Sequence, residues 1–248
     1  MVIDGQEETR PAGGFATQRG INYQNRIAAL FAASCLSQNL AVPGLPSSPV
    51  QSIRCETGEP LADILLTFEN DGIAFIEVKR TIQLTSSRMK PVLSQVIQQY
   101  LVSEQGTGGG KFPWRRVLDP TRDRLMLLTS SESPESVTKH LTACLARIGP
   151  ETSPEILPAI PRNAQETRAF GDFHILTLEA WKELMGVGPP LDKLVRLYSI
   201  FRIGSVDVNP GEADEQNGQS FLANTVLSNP QESPKAWSSL VHVMGAAS

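Results

Sequence analysis

The chain has 248 residues, enough to bury a sizeable core in one large domain or two small ones. Hydrophobic residues make up 40% and charged residues 19%, which is typical of a soluble globular protein. The formal net charge of −4 gives no sign of a nucleic-acid partner, and three widely spaced cysteines predict neither a disulfide framework nor a zinc site.

The N-terminus is acidic, whereas a signal peptide begins with basic residues. The apolar run at 27–36 is far too short to cross a membrane. The sequence therefore predicts a cytoplasmic protein with no membrane partner, and a reducing cytoplasm fits the unpaired cysteines.

The first predicted element is a helix. Apolar residues follow helical spacing from about Gly20 to Gln38, after a loose arm at residues 1–14. Gln24 lies one turn before Ala28, beside the buried stripe of this helix. Residues 50–55 then predict a short strand that follows a proline-containing loop.

The next stretch, residues 61–80, predicts two buried strands joined by a tight turn. Both strands are apolar runs, at 61–68 and 73–78, and residues 69–72 supply turn chemistry. We expect a three-residue loop closed by Gly72 in the left-handed region. This register sets Leu65 opposite Glu77 and Asp63 opposite Lys79.

Charged side chains lie on one face of this hairpin. Side chains alternate with period two, so Asp63, Glu77 and Lys79 share a face, and Ile64 and Val78 lie on the other. Buried charges cost several kcal/mol each unless they are paired or bind a metal. One interpretation is a structural ion-pair set, in which Asp63 pairs with Lys79, and Glu77 pairs with Arg54 or Arg80.

The other interpretation is catalytic. Two neighbouring carboxylates, Asp63 and Glu77, form a hard-oxygen site for Mg²⁺ or Mn²⁺. Lys79 beside them would orient and acidify a water molecule or neutralise a phosphate. These are the groups that phosphodiester hydrolysis requires.

The later elements alternate between helices and strands. In chain order we expect a helix at 89–103, a strand at 124–130, a helix to Arg147, a short strand at 173–178, and a helix from Leu191 that turns into a strand ending at Val208. This order predicts an α/β fold with a central mixed sheet flanked by helices. Two amphipathic helices after an acidic boundary at 209–217 predict a C-terminal helical extension. Gln95 and Gln99 are expected on a polar helix face.

Positive charge is concentrated between Lys79 and Arg124, a segment that contains nine Lys and Arg residues and three acidic residues. A basic segment beside the candidate site suits contacts to a phosphate backbone, although a solvated face is the alternative. Trp114 would either stack on a base or anchor its loop. The candidate DNA-binding residues are Arg80, Arg88, Lys90, Lys111, Arg115 and Arg116.

The spacing of the charged hairpin residues resembles a known signature. Asp63, thirteen intervening residues and then Glu77-Val78-Lys79 resemble the D…(D/E)xK pattern of the PD-(D/E)xK nuclease superfamily, with Ala62 where a proline often stands. Together with GGFATQRGINYQNRIAALF, the segment from residue 13 to about 105 is similar to the N-terminal nuclease domain of bacterial antiphage effectors. Those effectors are CBASS endonucleases with a SAVED sensor and STAND-type, NTPase-linked defence proteins.

This resemblance implies a restriction-endonuclease-like core at residues 1–209. Residues 210–248 would then lead towards a fused C-terminal sensor or NTPase module. It further implies a Mg²⁺-dependent endonuclease acting on double-stranded DNA, a homo-oligomeric active form, and a place for Gln24 near the metal site. The alternative is a non-catalytic nucleic-acid-binding or oligomerisation module that retains the fold.

Overall fold

The structure is a computed structural model that describes residues 13–38, 42–61, 63–106 and 114–246. The α-helices are α1 (Gly13–Ser37), α2 (Met89–Glu104), α3 (Thr142–Ala146), α4 (Ala164–Met185), α5 (Leu191–Ile200), α6 (Ala213–Thr225) and α7 (Ser233–Ala246). The strands are β1 (Val50–Cys55), β2 (Ile64–Phe68), β3 (Ile73–Val78), β4 (Arg124–Thr129) and β5 (Phe201–Ser205). A π-helical segment, Ser136–Leu141, runs directly into α3. Most of the predicted N-terminal arm lies outside the described residues.

The five strands form one mixed sheet in the order β1-β2-β3-β4-β5. The first three strands are antiparallel, and β3, β4 and β5 run parallel. One face of the sheet packs on α1, and α6 and α7 pack against α1 on that side. The other face packs on α2 to α5. The predicted α/β class with a mixed sheet between helices is therefore confirmed.

The register of the β2–β3 hairpin differs from the expected one by two residues. Leu65 lies opposite Phe75, and the same alignment continued to the strand ends brings Asp63 opposite Glu77. The residue with positive φ in the turn is Asp71, at 60°, where Gly72 was expected. Because a shift of two preserves the alternation of side chains, the acids still share a face.

Gly72 is required by a close approach of two backbones. A Cβ atom at this position would lie 2.6 Å from the carbonyl oxygen of Arg122. We therefore expect Gly72→Ala to lower the free energy of unfolding by about 1–3 kcal/mol, measured by urea denaturation. Gly171→Ala, in the open interior of α4, is the matched control and should be neutral or stabilising by up to about 1 kcal/mol. Equal stability of the Gly72 variant and the wild type would contradict this account.

The strand expected at residues 173–178 is wrong, because this segment lies inside α4. The Asn163 side chain caps the helix by accepting from the backbone N–H of Glu166 at 2.9 Å, and Gly186 ends it with φ of 73°. A six-residue apolar window cannot distinguish a strand from one face of a buried helix. The capping signals on both sides decide the outcome.

The C-terminal helices pack against the N-terminal one. Arg26 of α1 forms a 2.9 Å ion pair with Glu215 of α6, and Trp237 of α7 is buried in the same core as α1. The helical extension predicted at 210–248 therefore lies on the face of the sheet that α1 covers. The proposed division of the chain at residue 209 stays a prediction.

Candidate active site

The acidic residues of the signature meet where the β2–β3 hairpin opens, at the start of β2 and the end of β3. The Asp63 carboxylate accepts a 2.8 Å hydrogen bond from the backbone N–H of Val78, which fixes it against the end of β3. Glu77 lies in β3 with only 2% of its surface exposed. The hairpin therefore brings the two acids together, as the sequence predicts.

Lys79 follows directly after β3 and bonds to Glu77. Its ammonium lies 2.5 Å from a Glu77 carboxylate oxygen, and 43% of the lysine side chain is exposed. Its backbone N–H donates to the Leu128 carbonyl at 2.9 Å, so β4 holds this residue in place. The charged end of Lys79 thus lies between a buried acid and solvent.

The predicted set of structural ion pairs differs from the observed one. Lys79 pairs with Glu77, where the sequence predicted Asp63 as its partner. The guanidinium of Arg54 lies 4.7 Å from the Trp114 ring centre, and Arg80 pairs with Glu132 at 2.6 Å. Among the described residues no cation forms a salt bridge with Asp63. The two-residue register shift is the cause, because it moves Lys79 away from the position opposite Asp63.

Both acids are held in environments that disfavour their charged forms. Burial raises the pKa of Asp63, and the Val78 N–H and Lys79 only partly oppose this effect. Burial also raises the pKa of Glu77, and the nearby Asp63 charge raises it further, against Lys79. Two such carboxylates in a shared site favour a proton or a cation between them.

This arrangement predicts how stability depends on pH. When the folded-state pKa of Glu77 exceeds its ordinary value of 4.5, the folded state binds more protons, so the free energy of unfolding falls as pH rises above about 4.5. We expect Glu77→Gln to make this fall shallower and to leave the protein more stable at neutral pH, measured by urea denaturation at a series of pH values. Glu155→Gln is the control, because a hydrogen bond from Ser153 lowers the Glu155 pKa. Identical profiles for wild type and Glu77→Gln would contradict this prediction.

Gln24 contacts Glu56, an acidic residue that lies next to the acidic pair. Its amide lies 3.3 Å from the Glu56 carboxylate, and the backbone N–H of Glu56 donates to the Asp63 carbonyl at 3.3 Å. Glu56 has φ of 51°, an uncommon conformation for glutamate, and its charge raises the pKa of Asp63. Gln24 is therefore one residue removed from the acidic pair, and its catalytic role stays a prediction.

Two glutamines of α2 lie on the face that packs against the sheet. Gln99 is fully buried, and its side chain accepts from the backbone N–H of Leu61 at 3.4 Å. Gln95 is half-buried, and its side-chain hydrogen bond to Glu77 lowers the pKa of that acid. The polar helix face expected for this pair is wrong. Gln95 is a site residue that sequence reasoning missed. Its spacing of four residues from Gln99 places both side chains on the same face of α2, which was the available signal.

A basic cleft of about 540 Å³ adjoins the end of β3. Three arginines line it: Arg80 directly after Lys79, Arg88 before α2, and Arg19 in α1. Sequence reasoning selected the first two and missed Arg19, which lies five residues before Gln24 in α1. Glu132 is the acidic residue of the lining.

The other candidate DNA-binding residues have separate partners. Lys90 bonds to Glu183 at 2.7 Å, and Arg115 bonds to the buried Glu59 at 2.8 Å, which also accepts from Trp114. Trp114 is thus an anchored loop residue. Lys111 lies outside the part of the chain that the structure describes.

Arg116 lies at the turn end of the hairpin, where it donates to the Asp71 carbonyl at 2.7 Å. Four strand residues, 73–76, separate that turn from Glu77, which corresponds to about 15 Å. Arg116 also pairs with the buried Asp123 at 2.5 Å. Its predicted DNA contact, if made, would therefore be far from the acidic pair.

Within the described ranges no helix is long and apolar enough to cross a membrane. Comparisons with protein-family models, with curated proteins and with solved structures gave no match in any of the three.

Proposed function

We propose that this protein is a metal-dependent endonuclease that hydrolyses phosphodiester bonds of double-stranded DNA. The observation that carries the proposal is the meeting of Asp63, Glu77 and Lys79 at one end of the hairpin, beside a cleft lined by arginines. Charged groups in so buried a sheet are costly, and a reaction that uses all three explains their presence.

The acidic pair fits a hard divalent cation. Mg²⁺ binds proteins through one or two carboxylates and keeps several waters, so Asp63 and Glu77 suffice as protein ligands. The raised pKa values of both acids indicate that added positive charge would relieve them. When bound, Mg²⁺ or Mn²⁺ would supply Lewis-acid activation of a water molecule and of the phosphate.

The remaining chemistry belongs to the side chains. Lys79, whose side chain is 43% exposed, would neutralise charge that develops on the phosphate oxygens during attack. Gln95 steadies Glu77 from α2, and the Val78 N–H orients Asp63. Arginines along the cleft would hold the backbone on either side of the reacting phosphate.

The proposed family and biological role rest on the sequence resemblance. It supports a restriction-endonuclease-like core and a role as the effector domain of an antiphage defence protein, with a fused sensor or NTPase module. A site of this kind cuts one strand, so a double-strand break requires two sites, which supports a homo-oligomeric active form. A non-catalytic nucleic-acid-binding module is the second candidate, favoured by the Glu77–Lys79 ion pair that already satisfies one acid.

Incubation of the protein with plasmid DNA tests the proposal. We expect nicked or linear products in the presence of Mg²⁺ or Mn²⁺ and none when a chelator is added. Cleavage that persists in chelator would remove the metal from the mechanism. Intact plasmid under all conditions, at protein concentrations that allow assembly, would favour the non-catalytic module.

A further inference from the structure

The cleft beside β3 combines an anchored arginine with two arginines that form no salt bridge with any described residue. The Arg80 carbonyl accepts from the Ser130 N–H at 3.0 Å and from the Ser130 and Thr129 hydroxyls at 2.8 and 3.1 Å, so its backbone is held firmly. Arg19 and Arg88 are exposed, and within the described residues neither forms a salt bridge. A cleft of this composition favours a polyanion over a neutral ligand.

Glu132 accepts from only one of the two neighbouring N–H donors of the Arg80 guanidinium. One carboxylate oxygen of Glu132 lies 2.6 Å from Nη2 of Arg80, while Nε on the same edge of the guanidinium is buried and has no acceptor among the described residues. Nε–H and Nη2–H form the fork with which arginine binds two oxygens of a phosphate or carboxylate at once. The present contact therefore leaves half of the fork unused.

We propose that this cleft binds the DNA phosphate backbone next to the cleaved bond, and that Glu132 holds Arg80 until a phosphate displaces it. Arg19 and Arg88 contact flanking phosphates, and the displaced Arg80 fork binds one phosphate through both donors. Glu132 is 46% exposed, so its release into solvent costs little. This inference rests on the proposed function for its choice of DNA, and it adds Arg19 and the competing role of Glu132.

Binding can be measured without cleavage. A short labelled DNA duplex is titrated with protein in chelator at several salt concentrations, and fluorescence anisotropy is recorded. We expect Arg19→Ala/Arg88→Ala to weaken binding roughly tenfold to a hundredfold and to reduce the slope of log affinity against log salt by about two. Arg122→Ala is the control for loss of a positive charge outside the cleft, since it removes one charge at the far end of the hairpin, where it contacts the Asn70 carbonyl.

The role of Glu132 needs a double-mutant comparison. We expect Glu132→Gln to strengthen binding about twofold to fivefold, since an exposed ion pair contributes up to about 1 kcal/mol. The gain should vanish in an Arg80→Lys background, because lysine keeps the charge and lacks the fork. An equal gain in both backgrounds would show general charge repulsion and overturn the displacement.

Three outcomes separate this inference from the proposed function. If the Arg19/Arg88 variant keeps the wild-type affinity and salt slope, the proposal that the cleft binds DNA is wrong. DNA binding that depends on the cleft, in a protein that never cleaves, supports the cleft and refutes the endonuclease. Cleavage at the wild-type rate in the Arg19/Arg88 variant supports the endonuclease and refutes the cleft as its DNA-binding site. Since both side chains are exposed, the variants should melt as the wild type does, and Arg19→Gln/Arg88→Gln repeats the measurement if they do not.

Discussion

Asp63→Asn should lower Mg²⁺-dependent DNA cleavage by about a hundredfold to a thousandfold while leaving the fold intact. The substitution removes the charge of a proposed metal ligand, and losing one precisely placed electrostatic contact commonly costs two to three orders of magnitude in rate. The amide oxygen of asparagine still accepts from the Val78 N–H, so the end of the hairpin keeps its hydrogen bond. Single-turnover cleavage of a plasmid or labelled duplex measures the effect.

Asp71→Asn provides the matched control for this experiment. Asp71 is an exposed acid on the same hairpin at its turn end, and asparagine adopts its left-handed backbone readily. It should cut at the wild-type rate. Lys79→Ala should share the large loss of Asp63→Asn, because it removes the charge beside the phosphate. Wild-type rates in Asp63→Asn would end the assignment of this site.

Arg116→Ala should lower the free energy of unfolding by about 3–5 kcal/mol, more than any other substitution named here. Asp123 is fully buried and receives both guanidinium nitrogens of Arg116, at 2.5 and 2.8 Å, together with the backbone N–H of Ile73 and of Asp119. Removing the arginine leaves a buried carboxylate without its countercharge. Urea denaturation at neutral pH measures the loss.

Arg122→Ala is again the control, because its pair with Asp119 is long, at 3.5 Å, and exposed, so less than about 1 kcal/mol should be lost. This comparison also bears on the predicted DNA contact of Arg116. If Arg116→Ala were as stable as the wild type and bound DNA more weakly, Arg116 would act on phosphate and not on Asp123.

The chain itself contained enough information to place the acids on one face. Unbroken apolar runs require strands buried on both sides, and alternation then puts Asp63, Glu77 and Lys79 together. That conclusion survived an error of two residues in the register, because such a shift preserves the alternation. The turn was harder, since Gly72 is fixed by the passing backbone of Arg122, fifty residues away in the chain.

Only the tertiary structure decided which charges meet. Arg116 pairs with the buried Asp123 and Arg115 with the buried Glu59, and these pairings depend on how the segment before β4 packs. The DNA contacts expected for both arginines stay predictions. Arg19 and Glu132 reach the same cleft from α1 and from the segment after β4. Local patterns fix which way a side chain points, whereas the partners of a charge are set by long-range packing, which short sequence windows do not contain.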